Sequence, residues 1–303
     1  MGKEKGILVV GSANMDMVVK SRKIPRVGET VLGGVFNQYE GGKGANQALA
    51  AKKLFPDTYF CAGIGGDSIG RDYMEYFAKK GLDTSLVKIF PDSHSGVALI
   101  TIGKEGQNII TVAPGANLLL SPEDMAAIDF GRFSHVAFQL ENDLKTVKEG
   151  LKRAKLAGCS TILTPAPACL LDDEILKNID YLIPNEVEIL QLLRGFTAMN
   201  KAAEGLLAKG VKNVIITLGA SGCALFNADG FKKYPAHALR PIDTVGAGDC
   251  FSGSLMAGLK MYDDNLDEAI KLASAAASSV SITKMGAQSH ATLSEVLKLL
   301  GKK

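Results

Sequence analysis

The sequence DTVGAGDCFSG, at residues Asp243–Gly253, joins a glycine-rich turn directly to a predicted helix. Apolar residues then follow at the spacing of one helical face, at Phe251, Leu255, Met256 and Leu259. A helix that begins at such a turn exposes unpaired N–H groups and a partial positive charge at its N-terminus. We therefore predict that this turn binds an anion such as a phosphate group.

Asp249 is an unexpected residue at such an anion site. Its carboxylate would repel a bound phosphate, but it could take a proton from a nucleophile that attacks that phosphate. Gly246 and Gly248 let the backbone approach a phosphate closely. A purely structural interpretation stays open from the spacing alone, because Asp is also a favoured residue at the N-cap of a helix.

Short β-branched runs alternate with helical stretches along most of the chain. The predicted strands are Ile7–Val10, Thr58–Ala62, His135–Phe138, Thr161–Leu163, Tyr181–Ile183 and Val214–Thr217. The predicted helices are Gly44–Leu54, Ser68–Lys80, Asp143–Ala157, Glu186–Arg194 and Asn200–Lys209. This alternation predicts an α/β fold with a mostly parallel central sheet and helices on both of its faces.

Two regions interrupt this alternation. Met17–Lys20 and Glu29–Tyr39 have the half-polar pattern of short exposed strands, and residues 97–112 form a predicted hairpin with a glycine-rich turn. We predict that residues 17–39 and 97–112 together form a small second sheet. Because no linker separates independent units, residues 1–303 are predicted to form one domain.

Two polar, glycine-containing segments near the N-terminus are candidate ligand sites. Gly41–Ala48, with the sequence GGKGANQA, precedes a predicted helix, and Gly11–Asp16 follows the first predicted strand. In open α/β sheets, ligands bind beyond the carboxyl ends of the strands. Asn14 and Asp16 are short polar residues that suit vicinal hydroxyl groups. Each segment alone is also compatible with an ordinary glycine or Asx turn.

Two further candidates follow strands in the second half of the chain. In Pro184–Glu188, the side chains of Asn185 and Glu188 could reach a metal–phosphate unit, although a helix N-cap with acidic first-turn residues would have the same sequence pattern. Thr217–Gly222 is another glycine turn after a strand, and an ordinary structural turn remains the alternative there.

Composition excludes several other classes of protein. The 303 residues include 34 basic and 32 acidic side chains, so nothing predicts a nucleic-acid or membrane-binding surface. No apolar run approaches the roughly 20 residues that span a bilayer. The five cysteines are far apart and contain no C-x-x-C pair, which favours reduced thiols in a cytoplasmic protein.

Taken together, these segments resemble the ribokinase-like carbohydrate kinase family from Ile7 to about His290. Gly41–Ala48 is similar to the family's N-terminal glycine signature, and Asp243–Gly253 is similar to its C-terminal D-T-x-G-A-G-D signature. The resemblance implies a three-layer sandwich with a mostly parallel central sheet. It also implies that the second sheet is a lid, through which two subunits pair as a homodimer.

The resemblance implies an activity as well. The expected reaction is ATP-dependent phosphorylation of D-ribose at O5, with Mg²⁺ and K⁺ as cofactors. Two alternatives stay open. One is a kinase for another substrate, such as deoxyribose, fructose or adenosine, because a few hydroxyl contacts set specificity. The other is a sugar-binding protein without catalysis.

Family roles transfer to matching positions of this sequence. Asp249 is implied as the catalytic base, beside an anion hole of Gly246, Ala247 and Gly248. The implied sugar ligands are Asn14, Asp16, Gly42, Lys43, Asn46, Glu141 and Asp249. The implied ATP ligands are Asn185, Thr217, Gly219, Gly222, Gly248 and Ser274, with Ala275 as the alternative to Ser274. Glu188 is implied to organise Mg²⁺. The implied monovalent-cation site comprises Asp243, Val245, Ser281, Lys284 and Gly286.

Three departures from the family pattern stand out. Thr164 occupies a position where the family usually has Asn. His290 replaces a Ser that commonly completes the cation site, which bears on potassium activation. Residues 274–283 are one residue longer than usual, which leaves the adenine contact open between Ser274 and Ala275.

Overall fold

The computed structural model describes residues 5–237, 245–278, 288 and 290–302. The strands are β1 (Gly6–Val10), β2 (Asn14–Lys20), β3 (Val35–Gly41), β4 (Thr58–Cys61), β5 (Gly63–Gly65), β6 (Lys88–Phe90), β7 (Gly96–Ile102), β8 (Asn108–Ala113), β9 (Phe133–Phe138), β10 (Ser160–Leu163), β11 (Tyr181–Leu182), β12 (Asn213–Thr217), β13 (Cys223–Asn227) and β14 (Gly230–Tyr234).

The α-helices are α1 (Lys43–Leu54), α2 (Ser68–Lys79), α3 (Pro122–Ala127), α4 (Leu144–Leu156), α5 (Asp173–Leu176), α6 (Met199–Ala208), α7 (Ala247–Met261), α8 (Leu266–Ser278) and α9 (Leu293–Leu299). Short 3₁₀ helices cover Gly115–Leu119, Phe130–Arg132, Glu188–Gln191 and Gly219–Ser221. None of the helices in the described ranges has the length and apolar character that a bilayer crossing requires.

The main sheet has eight strands in the order β14-β13-β12-β11-β10-β9-β1-β4. The strands from β12 to β4 pair in parallel, whereas β13 and β14 form an antiparallel edge. The predicted mostly parallel sheet is therefore confirmed, and the antiparallel edge is an addition that the alternating pattern did not predict.

Side chains of strand β1, which lies between β9 and the edge strand β4, alternate between two hydrophobic cores. Ile7 and Val9 pack in the core that includes residues of α1, α7 and α8. Leu8 and Val10 pack in the core that includes residues of α3, α4 and α6. Both faces of the sheet are thus covered by helices, which explains why the parallel strands are continuous apolar runs in the sequence. The result is the predicted three-layer α/β sandwich.

Two predicted elements are wrong in part. The helix predicted over Glu186–Arg194 is only a short 3₁₀ turn at Glu188–Gln191, and the chain turns at Gly195, whose φ is +85°. The strand predicted over Glu29–Tyr39 begins only at Val35. Gly33 has a φ of +84°, which is incompatible with a continuous extended strand at that point.

The predicted second sheet is present as four strands in the order β3-β2-β7-β8, and we call it the lid sheet. It is joined to the main body through β2, which starts four residues after β1 ends. The fully buried Tyr73 of α2 anchors it, because the Tyr73 hydroxyl accepts a hydrogen bond from Gly41 N at 2.7 Å and donates to Asn14 O at 2.6 Å. The polar ends of β2 and β3 are therefore held against the body.

Candidate active site

The first turn of α7 has the geometry of an anion site. Gly246, the N-cap residue, has a φ of +78°, a left-handed conformation that favours glycine. Gly248 is exposed, and a Cβ added there would meet no other atom of the described residues within 4 Å. The unpaired N–H groups at such a helix N-terminus can bind an anion.

Asp249 follows directly and is buried against helix α1. Asn46 Nδ2 donates to Asp249 Oδ2 and Gln47 Nε2 donates to Asp249 Oδ1, both at 3.0 Å. The two helices approach closely because Gly253 has no side chain: a Cβ there would lie 2.2 Å from Gln47 O. Both carboxylate oxygens are therefore held by amide groups of one helix.

Two further glutamine side chains hold the amide groups of Asn46 and Gln47. Gln139 Nε2 donates to Gln47 Oε1 at 2.7 Å, and Gln288 Nε2 donates to Asn46 Oδ1 at 3.0 Å. Gln47, Gln139 and Gln288 were not predicted as site residues from the sequence. The position of Gln47 within the GGKGANQA segment was the only available signal for any of them.

Glu141 joins the link after β1 to the start of α1. Its Oε2 accepts hydrogen bonds from the Ser12 hydroxyl, from Lys43 N at 3.1 Å and from Asn14 Nδ2 at 3.4 Å. The structure thus brings together three of the predicted sugar ligands, Asn14, Lys43 and Glu141. It also adds Ser12, which lies within the Gly11–Asp16 segment but had no predicted role.

The glycines of the GGKGANQA segment allow this contact. Gly42 has a φ of +90°, and a Cβ there would lie 2.6 Å from Asn14 N. A Cβ at Gly44 would lie 2.5 Å from Ser12 N. Ala45 N then donates to Ser12 O at 2.9 Å. Backbone is therefore packed on backbone where α1 begins, a contact that only glycine permits.

Asn117 is a further site residue that was not predicted from the sequence. Its Nδ2 donates to Asn14 Oδ1 at 2.7 Å, and its Oδ1 accepts from Ala13 N at 3.0 Å. Asn142 Nδ2 in turn donates to Asn117 O at 2.8 Å. These buried contacts fix the orientation of the Asn14 amide. No local motif marks Asn117, because it reaches Asn14 only through the fold.

Four carboxylates share this region with one lysine. Burial raises the pKa of Asp16 to about 7, the negative charges of Glu141 and Asp249 add to the rise, and Lys43 opposes it. Burial acts to lower the pKa of Lys43, but nearby carboxylates outweigh it, so that its pKa lies above the usual value. The carboxylates acting on Lys43 are Asp249, Glu141, Glu188 and Asp16.

Asn185 and Glu188 hold the turn that leads into the 3₁₀ helix Glu188–Gln191. Asn185 Oδ1 accepts from Val187 N at 2.9 Å and from Glu188 N at 2.8 Å, and Asn185 N donates to Glu188 Oε2 at 2.8 Å. Burial raises the pKa of Glu188, and the charge of Asp249 adds to the rise, while the Asn185 hydrogen bond and Lys43 oppose it. Glu188 is therefore in the electrostatic field of the Asp249 site.

A single partly buried carboxylate fits an ion such as Mg²⁺. Mg²⁺ usually keeps several waters and binds through one or two carboxylates together with substrate phosphates. Glu188 supplies one such carboxylate. Within the described parts of the chain, no group of three or more His, Cys, Asp or Glu side chains forms an all-protein metal cage.

The remaining predicted ATP ligands lie at the carboxyl ends of β11 and β12. Asn185 pairs with Thr217 in a parallel bridge, and Gly219 and Gly222 follow with φ values of +54° and +90°. Ser274 on α8 is 7% exposed, whereas its alternative Ala275 is completely buried. Both residues are therefore buried, and the Ser274 hydroxyl oxygen is buried too, so exposure does not decide between them.

Most of the predicted cation site lies outside the described residues. These positions are Asp243, Ser281, Lys284 and Gly286. The remaining member, Val245, is exposed just before α7. Burial lowers the pKa of His290 to about 4, so this replacement for serine is uncharged at neutral pH and adds no positive charge that would repel a cation.

Comparison with known proteins agrees with the fold. Residues 4–293 match the family model described as pfkB family carbohydrate kinase. The chain is 36% identical to ribokinase from Haemophilus influenzae, and the match covers 98% of each chain. The chain belongs to the pfkB family of carbohydrate kinases.

A solved structure and a relative with another name extend the comparison. The structure of Arabidopsis thaliana ribokinase complexed with ribose and ATP matches with a TM-score of 0.89 at 30% identity, covering 99% of this chain and all of that one. Deoxyribokinase from Salmonella typhi is 34% identical, with 93% of this chain and 94% of that protein covered. Overall identity therefore does not separate ribose from deoxyribose as substrate.

Proposed function

We propose that the protein phosphorylates D-ribose at O5 with ATP and releases ribose 5-phosphate and ADP. The observation that carries this proposal is the position of Asp249 at the open N-terminus of α7, with both carboxylate oxygens held by Asn46 and Gln47. A base beside an anion site is what transfer of a phosphoryl group to a hydroxyl requires. The similarity to a ribokinase solved with ribose and ATP supports the choice of substrates.

Asp249 acts as the general base in this proposal. As the sugar O–H bond breaks, its proton passes to Asp249, the hydroxyl oxygen bonds to the γ-phosphorus, and the bond from that phosphorus to ADP breaks. Backbone N–H groups of Gly246, Ala247 and Gly248 stabilise the negative charge on the transferring phosphoryl oxygens. Mg²⁺, organised by Glu188, would supply further charge neutralisation on the phosphates when bound.

The sugar would lie between the lid sheet and the start of α1. Its hydroxyl groups would be bound by Asn14, Asp16, Gly42, Lys43, Asn46 and Glu141. Contacts among these residues support the grouping, because Asn14 and Lys43 both donate to Glu141. Asn46 has its carbonyl oxygen engaged by Gln288 and one N–H by Asp249, which leaves its second N–H for the sugar.

The nucleotide would lie along the carboxyl ends of β11 and β12. Asn185, Thr217, Gly219, Gly222 and Gly248 would contact its phosphates and ribose, and Ser274 would contact adenine. Asn185 Oδ1 is already engaged by backbone N–H groups, so its NH₂ group is the part available to a phosphate. We also propose K⁺ at Asp243, Val245, Ser281, Lys284 and Gly286, which would stabilise the adjoining anion hole.

We also propose that two chains pair through the lid sheet in a reducing cytoplasm. The lid sheet exposes large apolar side chains, including Phe36, Leu99 and Ile110, and such patches are typical of contact surfaces. All five cysteines lie in the described part of the chain, where none of them forms a disulfide, and four of them are buried. Free buried thiols are usual where the environment is reducing.

A panel of acceptors tests the proposed reaction. ADP release from Mg-ATP is measured with ribose, deoxyribose, fructose and adenosine, each with and without K⁺. We expect the highest kcat/KM on ribose and a stimulation by K⁺. A higher value on deoxyribose would assign the second candidate, which the Salmonella typhi relative favours. Ribose binding without turnover on any acceptor would instead indicate a non-catalytic binding protein.

A further inference from the structure

A buried chain of amides leads from the interior to the proposed base. Gln47 on α1 and Gln139 after β9 are both fully buried. Gln139 Nε2 donates to Gln47 Oε1 at 2.7 Å, and Gln47 Nε2 donates to Asp249 Oδ1 at 3.0 Å. We call Gln139, Gln47 and Asp249 the amide chain.

The chemistry of the three groups fixes the direction of this chain. An ionised carboxylate only accepts hydrogen bonds, so Gln47 must turn its NH₂ group toward Asp249. Its carbonyl oxygen then points away and needs a donor, which Gln139 supplies. If Gln47 were reversed, its carbonyl oxygen would lie against the carboxylate and repel it.

Gln139 keeps Gln47 in this orientation, but the carbonyl oxygen of Gln139 itself gains no hydrogen bond. Gln139 Oε1 is buried and has no hydrogen-bond partner among the described residues. It packs against Gly11, where an added Cβ would lie 1.9 Å from Oε1 and 2.7 Å from Gly44 Cα. Because an unpaired buried oxygen is unfavourable, a side chain chosen for stability alone would not leave one there.

We propose that Gln47 and Gln139 are positioning residues that orient the Asp249 carboxylate, so that Oδ2, on the Asn46 side, receives the proton. Oδ1 is held from the interior by Gln47, whereas Oδ2 is held by Asn46, a proposed sugar ligand near the start of α1. Gln139 acts only through Gln47, because its hydrogen bond is to Gln47 and not to Asp249. This inference rests on the proposed kinase function.

Two substitutions of Gln139 distinguish an effect on the orientation of the Gln47 amide from an effect on side-chain packing. Gln139→Met keeps a similar volume but removes the donor, so Gln47 is no longer held in one orientation. Gln139→Glu, when ionised, presents only acceptors and draws the NH₂ group of Gln47 away from Asp249. We expect kcat at pH 8 to fall about tenfold for Gln139→Met and about 10²-fold for Gln139→Glu. KM for the sugar should change less than about threefold, because no sugar contact is lost.

The pH profile of Gln139→Glu gives a readout that packing alone would not change. The protonated carboxyl group of this variant can donate to Gln47 Oε1 as the glutamine amide does, whereas the ionised carboxylate cannot. The kcat of this variant, relative to wild type, should therefore fall as pH rises. Equal kcat for both variants at pH 8, with a flat ratio to wild type across pH, would overturn the proposal.

A double-mutant cycle tests whether Gln139 acts through Gln47, even if Gln139→Glu fails to fold. The kcat of the Gln47→Met, Gln139→Met double variant should equal that of Gln47→Met alone. Losses that multiply would contradict the amide chain. As a control, Thr161→Val removes buried hydrogen bonds to Asn178 O and from Asp180 N at the amino end of β10, the end of the sheet opposite the site, and should lower stability without lowering kcat.

The same measurements separate failure of the proposed function from failure of this inference. Wild-type protein that phosphorylates none of the tested sugars would overturn the proposed function. Active wild-type protein with unchanged kcat in Gln47→Met and Gln139→Met would overturn only the positioning inference.

Discussion

Asp16 is the residue whose ionisation most directly affects sugar binding in this account. Burial and the neighbouring charge of Glu141 raise its pKa to about 7 from the usual value of 3.8. Between these two pH values the folded protein holds a proton that the unfolded chain has released. The contribution of Asp16 to stability therefore decreases as pH rises through this window.

Sugar hydroxyls donate hydrogen bonds best to the ionised form of Asp16. We therefore predict that ribose binding releases a proton near pH 7 and that affinity rises about tenfold from pH 6 to pH 8. Calorimetry in buffers of different ionisation enthalpy measures both quantities. An affinity that is flat across this range, or that keeps the same pH dependence in Asp16→Asn, would contradict the assignment.

Gly248 and Gly253 lie on the same helix, five residues apart, and provide a matched pair. Within the described ranges, an added Cβ would meet no atom within 4 Å at Gly248 but would lie 2.2 Å from Gln47 O at Gly253. Gly248→Ala should thus leave the unfolding temperature unchanged or higher but reduce kcat/KM for ATP, because the methyl group projects into the proposed phosphate site.

Gly253→Ala should instead separate α7 from α1, with a loss of about 1–3 kcal/mol in the free energy of unfolding. Turnover should fall as well, because Asn46 and Gln47 would no longer reach Asp249. Thermal unfolding and steady-state kinetics of the two variants, measured side by side, check this. Equal stability of both variants would show that the close approach of the two helices is not needed.

Among the secondary-structure elements, the hydrophobic pattern correctly predicted the parallel strands of the main sheet and most of the helices that pack on it. Continuous apolar runs such as Ile7–Val10 mark strands that are buried on both faces, and their pattern is local. The helix predicted over Glu186–Arg194 is wrong in part: only Glu188–Gln191 is helical, as a 3₁₀ turn, and the Asn185 side chain binds the backbone N–H groups of Val187 and Glu188 in place of helical hydrogen bonds. Helix propensity in a short segment does not reveal such local competition.

The amide chain could not be predicted from the sequence, although Asp249 and Gly41–Ala48 could be. The contact between Gln47 and Asp249 depends on how closely α1 and α7 pack, and Gly253 sets that approach. Asn117 and Gln139 reach the site from segments without a glycine signature. Such residues become visible only when the fold brings distant parts of the chain together.

At the scale of the whole molecule, the exposed apolar side chains of the lid sheet predict that two chains associate. Phe36 on β3 and Leu99 on β7 lie on the same face of the sheet, and more than half of each side chain is exposed. We predict that the wild-type protein is a dimer in solution and that the Phe36→Glu, Leu99→Glu double variant is a monomer. Charged residues at this surface would have to be desolvated in the dimer.

Light scattering coupled to size-exclusion chromatography measures this mass directly. Leu156→Glu is the control, because Leu156 is also strongly exposed but lies on α4, outside the lid sheet. A wild-type monomer, or a double variant that remains a dimer, would contradict pairing through the lid sheet.

The most direct test of the central claim is the turnover of Asp249→Asn on ribose and Mg-ATP, measured together with its affinity for ribose. Asparagine has nearly the same shape as aspartate but cannot act as a base at neutral pH. We expect kcat to fall by about 10²–10⁴-fold. Ribose affinity, measured by calorimetry, should stay within about threefold of wild type, because most of the sugar contacts remain. Near-normal turnover in a variant that binds ribose normally would contradict the assignment of Asp249 as the base.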